Sequence, residues 1–129
     1  LKILSETDKF LILGDFNIAP LDRDVPDPQA CKDQILCSDH ERESLKKIID
    51  LGLHDLFRNF DFPEKTYTWW DYRAGCFHRN IGYRIDLVLA TKAIADQCKD
   101  YIIDKDTRHK SWCSEEPRTS DHAPVRIII

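Results

Sequence analysis

Polar side chains stand at the ends of this chain's most hydrophobic runs, where residues of their type are costly to hide. In LILGDFNIAP, Asp15 and Asn17 follow an apolar run, and in SDHAPVRIII, Asp121 and His122 precede one. A carboxylate can hold and polarise a water, an amide can donate to a developing oxyanion, and an imidazole beside a carboxylate can move protons near neutral pH. Asp15 and Asn17 are two residues apart, so in extended backbone they project to one side. The plainer reading is an Asx turn, since Asp and Asn after a strand often bond their own backbone. Asp86 is the sharpest anomaly, because it sits inside YRIDLVLAT. A lone ionised carboxylate in such a strand needs a partner. An arginine such as Arg84 would make that partner structural. A histidine would make it functional, with the carboxylate fixing the imidazole tautomer and stabilising its protonated form. His122 suits that role best of the five histidines, because it too abuts a strand.

Between Asp71 and Asp86 the chain holds no acid, yet carries Arg73, His78, Arg79 and Arg84, flanked by Trp69, Trp70, Tyr72, Phe77 and Tyr83. Guanidiniums interleaved with rings suit a nucleic-acid backbone. A solvated loop tip over an aromatic core is the plainer alternative.

These residues need elements to hold them. Phe10–Leu13 closed by Gly14 reads as a buried strand, and residues 18–37, with Pro20, Pro26 and Pro28, as a long surface connection. Ser38 and Glu41 have capping-box spacing, Leu45, Ile48 and Ile49 recur at helical period, and Gly52 stops that helix. TYTWW (66–70) is β-branched and aromatic, hence a strand, as are 83–91, 101–104 and 124–129. Thr91 is placed to cap a short helix through Ala95. Strands outnumber helices and their polar residues gather at strand ends, the pattern of a sheet whose rim carries a site.

Composition sets the frame. A chain of 129 residues with 42% hydrophobic and 33% charged residues is ordinary for one globular domain or part of one. The net charge of −4 argues against non-specific coating of nucleic acid. No stretch approaches the roughly 20 apolar residues of a membrane span, so no membrane partner is expected. The cysteines Cys31, Cys37, Cys76, Cys98 and Cys113 lack zinc spacing and read as free thiols in a reducing compartment.

Taken in order, GDFNIAP, TWWDYRAGCFHRNIGYRIDLVLA and SDHAPV resemble the exonuclease III and AP endonuclease family of DNA-repair nucleases, within the endonuclease–exonuclease–phosphatase superfamily. GDFN and SDH belong to the whole superfamily, whereas WDYR followed by RNxGxRID is specific to the repair branch. The resemblance implies an α+β fold, half of a four-layer αββα sandwich of mostly antiparallel sheets with helices outside. It implies metal-dependent phosphodiester hydrolysis on double-stranded DNA, at abasic sites or 3′ ends, leaving a 3′-hydroxyl. Asp15 would activate water, Asn17 would stabilise the transition state, and Asp86 would orient His122 toward the phosphate. Asp15, Asn17, Asp121 and His122 would serve the metal, Mg²⁺ with Mn²⁺ as an alternative, since oxygen donors suit a hard cation. Trp69, Tyr83 and Ile85 would form the apolar pocket for a base-free sugar, and Arg73, Arg79, Asn80 and Arg84 would join them in contacting DNA.

The family's amino-terminal half, with its metal-binding Asn and Glu and its catalytic Tyr, has no counterpart here. With no methionine in the chain and an abrupt start, the expectation is a carboxy-terminal half that needs its amino-terminal half as partner. The setting implied is the cytoplasm of a bacterium or the nucleus of a eukaryote. Two rivals remain: another phosphodiesterase or phosphatase of the superfamily, and a non-catalytic binding or scaffold module.

Overall fold

The structure, a computed structural model, describes residues 3–112 and 119–129. Its elements in order are β1 (Leu11–Asp15), α1 (Pro28–Cys31), α2 (Asp39–Ile49), β2 (Leu53–Asp55), β3 (Asp86–Thr91), α3 (Lys92–Ala95), β4 (Asp100–Ile103) and β5 (Val125–Ile128), with short 3-10 turns between. Two antiparallel sheets result: β1-β3-β2, and the pair β4-β5. The class is α+β, as expected.

The central strand β3 reads DLVLAT because both of its faces are covered. Leu87 and Leu89 point into a cluster with Leu45 of α2, Leu53 of β2 and the partly buried Phe16, Ile18 and Ile49. Val88 and Ala90 point the other way, into a cluster with Leu56, Phe57 and Tyr101 that also gathers Val125 and Ile127 of β5. Burying one such side chain is worth about 1.5–3 kcal/mol, so β3 ties its own sheet to the helix on one side and to the second sheet on the other.

Helix α2 starts where its sequence says. Ser38 Oγ accepts the Glu41 N–H, and the Glu41 carboxylate accepts the Ser38 N–H at 3.0 Å. Helix α3 does follow Thr91, but the Thr91 hydroxyl does not cap it: it donates to the Asp8 carbonyl and accepts the Phe10 N–H, tying β3 to the approach of β1.

Several expectations need correction. Strand β1 is not buried. It is an edge strand, with Ile12 and Leu13 exposed by 38% and 56% and Phe10, just before it, by 43%. Residues 66–70 form no strand; Trp69 alone makes isolated bridges, to Tyr83 and to His122. Residues 18–37 are more than surface connection, since Ala19, Val25, Cys31 and Cys37 are buried together with Ile85. Asp27 caps the short α1 by accepting the Gln29 and Ala30 N–H groups, with Pro28 in the first turn, a local signal present in the sequence. Cys31 and Cys37 are joined in a disulfide, not free, because the α1 turn brings their Cα atoms to 6.1 Å, within bridging range. Cys76 and Cys98 are free thiols, and Cys113 lies outside the described residues. No helix among the described residues is long and apolar enough to cross a membrane.

Candidate active site

The register of the first sheet sets the first two carboxylates together. Asp15 ends β1 directly opposite Asp86, which begins β3. His122 comes from the approach to β5, where its backbone bridges Trp69 and its N–H donates to Ser120 Oγ at 3.1 Å. The Asp86 oxygens lie 2.9 and 3.1 Å from His122 Nδ1. An ionised carboxylate only accepts, so Nδ1 carries the proton and donates. Nε2 then faces Asp15 Oδ2 at 3.8 Å, too far for a hydrogen bond. The partner of Asp86 is therefore the histidine and not Arg84. The three side chains keep 17%, 36% and 30% of their surface (Asp86, Asp15, His122). Asp86 and His122 border an open cleft of about 650 Å³, lined also by Leu13, Val88, Trp112 and Val125.

Asn17 meets that cluster through its backbone. Its φ is +52°, and its N–H donates to Asp15 Oδ1 at 2.8 Å. This is the Asx turn, so Asp15 and Asn17 are not neighbours on one side of an extended strand. The turn instead fixes one oxygen of Asp15 and leaves Oδ2 toward the histidine. Asp121 Oδ2 accepts the Trp69 indole N–H at 2.9 Å. Among the described residues, no group of three His, Cys, Asp or Glu side chains could hold a metal ion between them.

Beside His122 the expected apolar pocket residues do meet. The Trp69 ring lies 5.8 Å from Tyr83 and 6.5 Å from His122. Trp69 and Tyr83 pack on Ile85 and the Cys31–Cys37 disulfide. Burial, then the neighbouring Cys76 and Asp27, pushes the Tyr83 hydroxyl above its ordinary pKa. Trp70 is wholly buried beneath the following loop, and Gly82 lies so close to it that a Cβ there would fall 2.5 Å from the indole nitrogen.

The structure divides the expected DNA contacts. Arg84 is fully buried. Its guanidinium bonds Asp24 at 2.8 Å and Asp55 at 2.5 Å and stacks 4.4 Å over the Phe57 ring, while Arg58 joins from the other side of Asp24. Burial alone would lower the Arg84 pKa, but the two carboxylates outweigh it and hold the guanidinium above its usual value. The expected contact of Arg84 with DNA is thereby corrected, because its charge is already matched inside the protein. Asn80 (φ +50°) is spent on the loop itself: its Oδ1 accepts the Trp70 indole N–H at 3.1 Å and its Nδ2 donates to the Lys65 carbonyl at 3.1 Å. Arg73 is exposed but forked onto Asp71. That hydrogen-bonded guanidinium, first through its side chain and then its backbone N–H, pulls the Asp71 carboxyl down to about 2. Arg79 is exposed and donates to the Ala74 carbonyl at 3.3 Å, so its charge faces solvent.

One structural feature beside the site escaped the sequence. The buried Arg84 network has partners 60 and 29 residues away, and no local spacing signals them.

The chain is similar to known proteins along most of its length. The model of the "Endonuclease/Exonuclease/phosphatase family" matches residues 1–122. An exodeoxyribonuclease of Bacillus subtilis is 34% identical over 128 residues, covering 98% of this chain and 46% of that protein. Among solved structures, an AP endonuclease from Archaeoglobus fulgidus matches with a TM-score of 0.83 at 32% identity, covering 97% of this chain and 47% of that one. A 3′ phosphatase from Neisseria bound to a product DNA hairpin matches with a TM-score of 0.80 at 42% identity, covering 91% and 43%. The chain spans about half the length of the curated relatives it matches.

Proposed function

Because this chain belongs to the endonuclease/exonuclease/phosphatase family, we propose that it supplies the carboxy-terminal half of a DNA-repair nuclease that hydrolyses phosphodiesters at abasic sites or 3′ ends of duplex DNA. The observation that carries this reading is the hydrogen bond from His122 Nδ1 to Asp86 at 2.9 Å, with Nε2 turned toward Asp15 at the mouth of a cleft. Asp86 accepts from Nδ1–H and stabilises the protonated imidazolium, whose Nε2–H can then donate to a phosphate oxygen. Asp15, with Oδ1 fixed by the Asn17 N–H, offers Oδ2 to take a proton from the attacking water. Trp69 and Tyr83, packed on the buried Ile85, form the apolar wall a base-free sugar would meet, and the exposed Arg79 supplies a cation for the backbone.

The donors fit a hard divalent cation in type but not in number. Asp15, Asn17 and Asp121 offer oxygens, which suit Mg²⁺ or Mn²⁺ rather than a thiolate metal. Among the described residues they form no closed cage, so the remaining ligands would come from the amino-terminal half. Bound there, the cation supplies Lewis-acid charge at the phosphate. That half would also cover the exposed Phe10, Ile12 and Leu13 of the β1 edge.

The test expresses the chain alone and with the amino-terminal half of a family member as a second chain, then measures cation-dependent incision of an abasic duplex. Incision that needs both chains is the expected result. Abasic incision by neither would remove the nuclease reading, and release of a 3′ phosphate without incision would replace it with the end-processing activity of the Neisseria relative.

A further inference from the structure

Asp86 begins β3 and His122 lies just before β5 of the other sheet, yet their hydrogen bond has to be held to a few tenths of an ångström. Strands β3 and β5 do not pair, so no ladder connects them. Beside the Trp69 backbone, which bridges Tyr83 and His122, the residue that joins them is Thr68, which is wholly buried. Its Oγ1 accepts two backbone N–H groups, those of Ile85 and of Asp86, each at 3.1 Å. Its hydroxyl hydrogen is left for the Tyr83 carbonyl at 3.5 Å. Its own carbonyl accepts the N–H of Ala123, the residue after His122, at 2.7 Å, and its N–H donates to Tyr83 at 3.0 Å. The side chain of Thr68 thus grips the backbone of one member of the pair, and its main chain grips the backbone beside the other.

We propose that Thr68 is the positioning residue that sets the Asp86–His122 hydrogen bond, a proposal that rests on the nuclease reading above. The hydroxyl is engaged in three directions, so it has no rotational freedom to spare. Replacing it with the isosteric valine fills the same space but leaves two N–H groups unpaired, that of Ile85 fully buried. Those groups must seek other acceptors, and Asp86 moves with them. Catalytic geometry tolerates little of this, since a misplacement of about 1 Å can cost about 10²-fold in rate. The effect belongs to the chemical step, because Thr68, being buried, cannot touch substrate.

The experiment uses the nuclease with both halves present and compares Thr68→Val, Thr68→Ser, Asp86→Asn and the double variant Thr68→Val/Asp86→Asn. Thr68→Val should lower kcat by about 10- to 10²-fold with KM unchanged. Thr68→Ser, which keeps the acceptor, should stay within about twofold of the parent. With Asp86→Asn already in place, Thr68→Val should add less than about twofold, because residues acting as a unit are not additive. An equal loss in both backgrounds, or a Thr68→Ser loss as large as that of valine, would reduce Thr68 to a core residue and overturn the proposal. Where valine does not fold, serine decides alone, and a drop beyond about tenfold counts against the hydroxyl. A second readout needs no turnover: the downfield proton resonance of His122 Nδ1–H on Asp86 should persist in Thr68→Ser and vanish in Thr68→Val. If the parent protein incises no DNA, the nuclease reading fails, while that resonance still decides for or against Thr68.

Discussion

Two charged clusters lie within a few residues of each other and are built from nearly the same parts, yet they do opposite things. Around Arg84, two guanidiniums meet two carboxylates, with side-chain exposures of 0% for Arg84, 1% for Asp24, 10% for Asp55 and 19% for Arg58. Charge is balanced there, and the hydrogen bonds join all four groups through Asp24 and Asp55, with only the buried Arg58 Nε left unpartnered among the described residues. Around His122, two carboxylates face one imidazole and all three groups reach solvent. Burying an unmatched charge costs several kcal/mol, so an unbalanced cluster has to stay open, where water, a cation or a substrate completes it. Arg84 and Asp86 stand two residues apart on opposite sides of this divide. Charge balance and exposure, not residue type, separate the cluster that holds the fold from the one available for chemistry.

The largest expected effect breaks the open cluster. In the nuclease with both halves present, His122→Asn or Asp86→Asn should lower single-turnover incision of an abasic duplex by about 10²–10⁴-fold, the usual contribution of a positioned acid–base group. DNA affinity and the thermal midpoint should hardly change, because solvent already reaches these side chains. Near-parental rates in both variants would make the histidine–carboxylate pair as structural as the arginine cluster.

Next comes the closed cluster. Asp24→Asn leaves Arg84 and Arg58 sharing Asp55 alone, and removing one partner of a buried pair costs about 3–5 kcal/mol. Urea denaturation of the two-half protein measures it. A loss below about 1 kcal/mol would mean that water enters the cluster and that it is not closed.

A smaller effect distinguishes the arginines in their dealings with DNA. Arg79→Ala should reduce the slope of log affinity against log salt concentration by about one, as expected when a single phosphate is no longer neutralised by the protein. Arg84→Met should leave that slope unchanged while lowering stability, because the Arg84 charge is matched internally. An equal slope change in both would show that the closed cluster opens on binding.

Local signals carried the sequence reading well wherever one element decides its own form. The Ser38–Glu41 capping box and the apolar run of β3 are of this kind. GDFN, RID and SDH led to Asp15, Asp86 and His122, which do meet, Asp15 and Asp86 through the sheet register and His122 through its hydrogen bond to Asp86, while Asn17 forms a turn and does not project beside Asp15 from an extended strand. What remained illegible depended on distant partners. TYTWW has strand composition, but Thr68 and Trp69 direct their backbone groups to Tyr83, and Trp70 and Ala123 complete the junction. Arginine in RID looked free for phosphate because Asp24 and Asp55 lie far off in sequence. The exposure of β1 depends on what else packs against its edge, which its own residues do not encode.

The smallest effect concerns a pair that is matched like Arg84 but exposed like His122. Arg73 forks onto Asp71 through Nε and Nη2, the latter at 2.6 Å, and the Asp71 carboxyl is drawn down to about 2 mainly by that hydrogen bond. A carboxyl whose pKa is depressed in the folded state contributes its pairing fully above the ordinary carboxylate range and loses it as pH falls through about 2. Arg73→Ala should therefore return the Asp71 pKa toward that of a free aspartate, as followed by carboxyl-carbon NMR titration, with no measurable change in the urea midpoint at pH 7. Solvent screens an exposed pair, so matching charges fixes a loop rotamer here without supporting the fold. A clear stability loss at pH 7, vanishing in acid, would show that charge balance alone suffices and that burial is not what distinguishes the Arg84 cluster.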